Sequence, residues 1–183
     1  MKSALIVVDM QNDFLPGGSL AVHDGFQVIP IINTLIEEFT AKGEPVVYTA
    51  DHHPENHISF ANQGGPWPVH CVAGSHGAEL TKDLQVLGAI FAKGTEIDQD
   101  AYSGFEGQYK GQSLNTFLQE NQIDRVLIVG LATDYCVAAT AKDAYRYGYD
   151  VLIRRDAIRG VNVQPHDSEK ILEELESLGC KIL

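Results

Sequence analysis

The chain has 183 residues, of which 44% are apolar, and its 13 basic and 25 acidic residues give a formal net charge of −12. This length predicts a single domain over residues 1–183 with a sizeable core. The acidic balance excludes sequence-independent binding to nucleic acid or to anionic lipid, because both need clustered lysine and arginine. The composition leaves the oligomeric state open, a homo-oligomer included.

Neither a signal peptide nor a membrane-spanning segment is expected. The first apolar run, residues 4–8, stops at Asp9, and no run approaches the roughly 18 apolar residues of a membrane span. Three scattered cysteines are too few for a disulfide framework. The expected location is therefore the reducing cytoplasm.

Short apolar runs predict strands that are buried on both faces, because they lack the alternation of half-buried strands. They cover residues 4–8, 45–50, 89–92, 126–129 and 151–153, and residues 181–183 supply a last short strand. Apolar residues at helical spacing predict helices over residues 28–39, behind the N-cap Ser113, over 137–144 and over 171–178. This alternation predicts a parallel α/β sheet covered by helices on both faces.

Two segments, residues 51–75 and 94–112, do not fit the alternation and are rich in glycine, proline, histidine and aromatic residues. Long loops inside compact domains are usually functional. Ligands of open α/β sheets bind outside the carboxyl ends of the strands. Asp9, Asp51, Lys93 and the turn over residues 130–136 all follow predicted strands at those ends, so a site is expected there.

Cys136 lies in the first turn of a predicted helix. The helix dipole and unpaired N–H groups there favour a thiolate and can hold an oxyanion. A buried core thiol is the alternative. Asp9 and Lys93 favour a site, because a charge that ends an apolar strand is costly unless it faces one. Asp9 would accept the thiol proton and Lys93 would stabilise the thiolate, whereas a structural Asp9–Lys93 ion pair is the plainer alternative.

Four histidines follow the second strand within 20 positions: His52, His53, His57 and His70. Together with Asp51 they suit a divalent transition metal. A polar surface loop without a metal is the alternative. Three aromatic residues near these loops, Phe14, Trp67 and Tyr102, would wall a flat pocket for a planar ring, or would be ordinary packing residues.

Six motifs in order along most of the chain resemble those of the isochorismatase-like hydrolases and, within them, the nicotinamidases. They are residues 6–14 (IVVDMQNDF), 51–57 (DHHPENH), 67–71 (WPVHC), 93–94 (KG), 101–107 (AYSGFEG) and 130–137 (GLATDYCV). The histidine loop discriminates within the superfamily, because many members keep the aspartate, lysine and cysteine but lack it.

The resemblance implies a single-domain three-layer α/β/α fold with a mostly parallel six-stranded sheet. It implies hydrolysis of nicotinamide to nicotinate and ammonia in NAD salvage, with pyrazinamide also accepted. Asp9 would be the general base and then the acid, Lys93 would support the thiolate, and Cys136 would form a thioester. Backbone N–H groups of Ala132 and Cys136 would hold the oxyanion, next to a non-proline cis peptide between Leu131 and Ala132.

The resemblance also implies one divalent metal ion held by Asp51, His53 and His70, with waters completing its shell. Zinc is the expected ion, while iron and manganese stay open. The ion would hold the pyridine nitrogen of the substrate. The family often has an aromatic residue at the position of His52, so His52 and His57 stay open as further ligands. The ring-contacting positions of the family match Phe14, Trp67 and Tyr102.

Two other functions stay open at this point. An amidohydrolase of the same superfamily that acts on a ureido or carbamoyl substrate would have no evident use for the metal ligands. A non-catalytic α/β binding module would be expected to lack the aspartate, the lysine or the cysteine, and all three are present.

Overall fold

One mixed sheet of eight strands organises the protein, a computed structural model that describes all residues from Met1 to Leu183. The strands are β1 (Ser3–Val8), β2 (Val46–Asp51), β3 (Ile90–Lys93), β4 (Gln108–Tyr109), β5 (Gln112–Ser113), β6 (Arg125–Leu131), β7 (Asp150–Arg159) and β8 (Lys181–Ile182). The helices are α1 (Ile29–Ala41), α2 (Leu114–Glu120), α3 (Ala138–Arg146) and α4 (Asp167–Leu178). The strand order is β5-β4-β3-β2-β1-β6-β7-β8.

The predicted count of six strands is too low by two. Six strands, in the spatial order β3-β2-β1-β6-β7-β8, are parallel to one another, as expected. The two additional strands, β4 and β5, are antiparallel and only two residues long each. Strands this short leave no periodic apolar signal in the sequence.

Two apolar cores, one on each face of the sheet, give the predicted three layers. Side chains of β1 alternate between them, so Ile6 and Val8 pack with α2, α3 and α4, while Leu5 and Val7 pack with α1. A central parallel strand needs apolar residues at every position for this reason. The fold is therefore a single-domain α/β fold, and no helix in it is long and apolar enough to cross a membrane.

The predicted helices are present and two of their ends follow the expected chemistry. The Ser113 side chain accepts a hydrogen bond from the Thr116 N–H and caps α2. Gly179 follows α4 in the left-handed conformation, with φ of 114°. The prediction for β7 was too short, since this strand continues through the exposed Arg155 and Asp156 to Arg159. The pairing of β7 with β6 shifts register between Ile128 and Gly130, beside that polar stretch. A search for apolar runs does not detect a strand segment with exposed charged residues.

The register aligns the carboxyl ends of the central strands. Val8 of β1 pairs with Thr49 of β2 and with Gly130 of β6. Asp51, the last residue of β2, pairs with Lys93, the last residue of β3. Residues that follow these strand ends therefore meet at one edge of the sheet.

At the opposite edge, Asp150 links three strands. Its carboxylate lies 2.6 Å from a guanidinium nitrogen of Arg125 on β6 and 3.0 Å from Lys181 Nζ on β8. Hydrogen bonds from Lys181 and Arg125 lower the pKa of Asp150 below its usual 3.8. Because the folded pKa lies below the unfolded one, this carboxylate stabilises the fold fully above about pH 4 and loses that contribution as the pH falls through the folded pKa.

We expect Asp150→Asn to lower the free energy of unfolding at pH 7 by about 0.5–1 kcal/mol, since the pair is partly exposed. The difference from wild type should shrink as the pH falls below about 4. Urea unfolding at pH 7 and pH 3 measures both values, with Asp156→Asn as the control, because Asp156 pairs only with Arg154 on the same strand. A difference that grows toward acid would contradict this assignment.

Candidate active site

Asp9 follows β1 and is held in place by the neighbouring strand. Its backbone adopts the left-handed conformation, with φ of 48°, and its N–H donates to the Thr49 carbonyl at 3.1 Å. The Thr49 hydroxyl donates to Asp9 Oδ1 at 2.6 Å, and both residues are fully buried. The carboxylate is therefore fixed in position over the end of β2.

Lys93 lies at the centre of the site. Its Nζ is 2.9 Å from Asp9 Oδ2, 2.5 Å from Asp51 Oδ1 and 3.4 Å from Cys136 Sγ. Burial acts to lower the pKa of Lys93, but the carboxylates of Asp51 and Asp9 raise it well above its usual value. The side chain is thus a permanent ammonium that offsets two buried carboxylates.

Cys136 enters the site from a turn between β6 and α3. The turn is π-helical over Thr133–Val137, so the predicted α-helix begins only at Ala138. The expected cis peptide between Leu131 and Ala132 is confirmed. The N–H of Ala132 donates to no protein acceptor.

The positions of Cys136 and Lys93 favour a thiolate, but burial of the sulfur and the nearby Asp9 carboxylate act against it. Burial raises the pKa of the thiol well above its usual value, the carboxylate of Asp9 raises it further, and Lys93 offsets only part of this. Burial likewise raises the pKa of Asp9, against the opposing effect of Lys93. Both shifts favour the protonated form of the group concerned, the thiol of Cys136 among them.

One oxygen of Asp9 is placed to take that proton. Cys136 Sγ and an Asp9 carboxylate oxygen lie within 4.8 Å of each other. Oδ1 accepts the Thr49 hydroxyl, whereas Oδ2 accepts no well-directed hydrogen bond despite its ion pair with Lys93. Oδ2 thus keeps acceptor capacity, and a carboxylate beside a thiol can act as a general base.

A second cluster adjoins the first. The ligand atoms of Asp51, His53 and His70 lie within 4.8 Å of one another, and all three side chains are buried. His53 Nδ1 lies 2.8 Å from the Gly94 carbonyl and His70 Nδ1 lies 2.7 Å from the Pro68 carbonyl. Each Nδ1 therefore carries the hydrogen and each Nε2 keeps a lone pair for a metal ion.

The electrostatics of this cluster suit a cation. Burial acts to lower the pKa of His53, but the Asp51 carboxylate raises it, so positive charge between these two side chains is favoured. Burial lowers the pKa of His70 and keeps that imidazole neutral, as a metal ligand must be. A carboxylate and two imidazoles are the donor set of a zinc, iron or manganese site.

The two histidines left open by the sequence lie elsewhere. His52 is exposed and belongs to neither cluster. His57 stacks on His53 with ring centroids 4.0 Å apart, but its Nδ1 lies 2.7 Å from Ser59 Oγ and its Nε2 lies 2.9 Å from the Gln99 carbonyl. Both nitrogens of His57 are thus engaged, and the residue supports His53 by packing.

A cavity opens onto both clusters and is lined mostly by apolar side chains. The three aromatics predicted to contact a ring all line it. Trp67 Nε1 donates to the Tyr102 hydroxyl at 3.0 Å, and burial raises the pKa of Tyr102 to about 12, so that hydroxyl stays neutral. Phe14 also lines the cavity, with its ring centroid 5.7 Å from that of His70.

Several residues of the site were not predicted. Tyr135 lines the cavity and packs edge-on against Trp67 at 4.9 Å between ring centroids. Gln11 is fully buried, and its side-chain amide donates to the Asp51 carbonyl and accepts from the Asp51 N–H, both at 2.8 Å. Tyr135 is adjacent to Cys136 in the sequence, and Gln11 follows Asp9 by two residues. Neither was predicted, because their roles depend on contacts with residues that are distant in sequence. The other unpredicted lining residues are Leu20, Val22, Asp100, Ala101, Leu131 and Val161.

Known proteins share this fold and its sequence. Residues 3–182 match the family described as the isochorismatase domain. The nicotinamidase of Escherichia coli (strain K12) is 40% identical to this chain, and the match covers 98% of this chain and 93% of that protein. The crystal structure of the pyrazinamidase of Pyrococcus horikoshii in complex with zinc has a TM-score of 0.92 and 50% identity, covering 100% of this chain and 99% of that one.

A structure from L. infantum in complex with nicotinate has a TM-score of 0.89 and 37% identity, covering 100% of this chain and 92% of that one. These likenesses extend over the whole sheet and over every loop that contributes to the two clusters. The chain belongs to the isochorismatase-domain family.

Proposed function

We propose that this protein is a metal-dependent nicotinamidase, which hydrolyses nicotinamide to nicotinate and ammonia through a thioester on Cys136. The observation that carries the proposal is that Asp9, Lys93 and Cys136 lie together beside a cavity that the buried His/carboxylate cluster also lines. A thiol beside a general base can hydrolyse an amide. The second cluster suits a metal ion, and therefore a substrate that carries an atom able to coordinate that ion. Relatives that carry the names nicotinamidase and pyrazinamidase support the choice.

In the first half of the proposed reaction, Cys136 Sγ attacks the amide carbon while Asp9 Oδ2 accepts the thiol proton. The carbonyl oxygen becomes an oxyanion that accepts hydrogen bonds from the N–H groups of Ala132 and Cys136. Asp9 then gives the proton to the amide nitrogen, the C–N bond breaks, and ammonia leaves. The product of this half is a thioester between the ring acyl group and Cys136.

In the second half, a water molecule attacks the thioester carbon and Asp9 accepts a proton from it. The C–S bond breaks, nicotinate leaves, and the sulfur recovers its proton. Lys93 remains charged throughout and stabilises negative charge on sulfur as it forms, 3.4 Å away. Burial raises the pKa of both Asp9 and Cys136, and we propose that proton transfer accompanies the attack.

Asp51, His53 and His70 fit a divalent metal ion by donor type, spacing and tautomer, and we propose them as its ligands. When bound, the ion supplies a Lewis acid that holds the pyridine nitrogen and withdraws charge from the ring. Zinc is the proposed ion, supported by the zinc complex of the Pyrococcus horikoshii protein. Phe14, Trp67 and Tyr102 would hold the ring between them, beside Ala132.

The cellular role that we propose is NAD salvage in the cytoplasm, with pyrazinamide as a second substrate. The relative named nicotinamidase/pyrazinamidase in Mycobacterium tuberculosis (strain ATCC 25618 / H37Rv), 38% identical, supports the second substrate. Three free cysteines, all buried, suit a reducing compartment. Assembly into a homo-oligomer stays a prediction that does not depend on the proposed reaction.

Purified wild-type protein should release ammonia from nicotinamide, and Cys136→Ala and Asp9→Asn should each lower the rate by at least ~10³-fold. Cys136→Ala should still bind nicotinate, because the nucleophile contributes little to holding the ring. An ammonia assay and calorimetric titration with nicotinate measure these effects. Cys180→Ala, a buried thiol in the core, is the matched control and should keep wild-type activity. Near wild-type turnover by Cys136→Ala would rule out the thioester.

His70→Ala should lower the bound metal to below about a tenth of the wild-type content and weaken substrate binding with it, because one of three protein ligands is lost. His57→Ala should keep most of the metal, because both nitrogens of His57 bond to protein groups. Elemental analysis after dialysis against limiting zinc gives the metal per chain, with the exposed His166→Ala as control. Equal loss in His57→Ala and His70→Ala would instead make His57 a fourth ligand.

A further inference from the structure

We infer that Thr140 is a positioning residue, whose hydroxyl connects the turn of the nucleophile to the loop that carries Tyr102. This inference rests on the proposed function, because the proposed function assigns Cys136 and Tyr102 their roles. Thr140 belongs to α3, is fully buried and does not line the cavity. It can therefore affect the reaction only through the residues that it holds.

The hydroxyl of Thr140 makes two hydrogen bonds in opposite directions. It donates to the carbonyl oxygen of Cys136 at 2.6 Å and accepts from the N–H of Gly104 at 2.9 Å. A hydroxyl has one hydrogen to donate and lone pairs to accept, so both bonds are satisfied at once. Cys136 is thus joined, through one oxygen atom, to a loop that lies 36 residues before Thr140.

The first of these bonds alone would carry no inference. Helical threonines often donate to the carbonyl four residues earlier. Thr34 of α1 does so to the Pro30 carbonyl at 3.1 Å, on an exposed position and without a second partner. The bond from Gly104, which comes from a different element, makes the hydroxyl of Thr140 a link.

Gly104 has little room to take another position. A Cβ at this residue would lie 2.6 Å from Thr49 Cγ2 and 3.5 Å from Thr140 Oγ1. The Gly104 backbone therefore fits between two threonines, one of which donates to Asp9 and the other to Cys136. The same stretch of loop therefore packs against the two threonines that hydrogen-bond to Asp9 and Cys136.

Hydrogen bonds connect the loop around Gly104 to the aromatic wall of the cavity. The Glu106 carboxylate accepts from the N–H groups of Tyr102 and Ser103, each at 3.0 Å, and the Ser103 side chain accepts from the Phe105 N–H at 3.2 Å. These bonds hold residues 102–106 as one unit. At its start, the Tyr102 hydroxyl accepts from Trp67, so the unit ends in the aromatic wall.

The test compares Thr140→Val, which removes the hydroxyl at nearly constant shape, with Thr140→Ser, which keeps it. With nicotinamide, Thr140→Val should lower kcat and raise KM, so that kcat/KM falls about tenfold or more, because both hydrogen bonds of the hydroxyl are lost. Thr140→Ser should restore both constants to within about twofold of wild type. Thr34→Val, which removes the ordinary helical bond, should leave both unchanged.

Trp67 is the only tryptophan of the chain, so its emission reports on the Tyr102 loop. Thr140→Val should shift that emission, and Thr140→Ser should not. The metal content should stay at the wild-type value in both variants, because no bond of Thr140 reaches the histidine cluster. Wild-type kcat, KM and emission in folded Thr140→Val would overturn the inference, as would an equal loss in Thr140→Ser, which would assign the effect to the methyl group.

Two measurements keep the inference testable if Thr140→Val does not fold or if the protein does not hydrolyse nicotinamide. In wild type, the Gly104 amide should exchange its hydrogen slowly by nuclear magnetic resonance, and exchange as fast as that of exposed loop amides would overturn the link. The rate of Cys136 alkylation by iodoacetamide should differ between Thr140→Ala and Thr140→Ser, and equal rates would also overturn it. Absence of ammonia release by wild type would reject the proposed function alone.

Discussion

The ammonium of Lys93, buried between two carboxylates, is the interaction on which the rest of the site depends. Asp9 and Asp51 are both almost completely excluded from water, and isolated buried carboxylates are too costly to stay charged. Lys93 Nζ contacts both and also reaches the thiol of Cys136. Removing it would leave two like charges close together in a medium of low polarity, which disfavours the charged state of each.

This interaction also joins the two halves of the site. Asp51 Oδ1 accepts from Lys93, while Oδ2 lies 3.5 Å from His53 Nε2. Burial acts to raise the pKa of Asp51, but Lys93 and then His53 lower it well below its usual range, so the carboxylate stays charged. One side chain thereby serves the proposed catalytic half and the proposed metal half, and the backbone of Asp51 is held in turn by Gln11.

The sequence was sufficient for the parallel strands of the sheet and for drawing attention to Asp9, Lys93 and Cys136 at its carboxyl ends, because these signals are local. A continuous apolar run predicts a buried strand, and a charge directly after it stands out, as at Asp9 and Lys93. The added strands β4 and β5 and the long β7 were missed, because hydrogen bonding forms them and apolar burial does not. Thr49, Gln11 and Thr140 were missed for a related reason, since each acts through partners 36 or more positions away. The protonation of Cys136 depends on the balance between burial and three charges, which no local pattern contains.

A double-mutant cycle on Lys93 and Asp9 tests the central claim most directly. The free energy of unfolding would be measured in urea on chelator-treated wild type, Lys93→Met, Asp9→Asn and the double variant. A coupling energy of about 2–3 kcal/mol is expected, with the double variant more stable than the sum of the single effects predicts. The partly exposed pair of Lys142 and Glu174 should give no more than about 1 kcal/mol in the same cycle. Additive effects of Lys93→Met and Asp9→Asn, within about 0.5 kcal/mol, would contradict the central role of the buried ammonium.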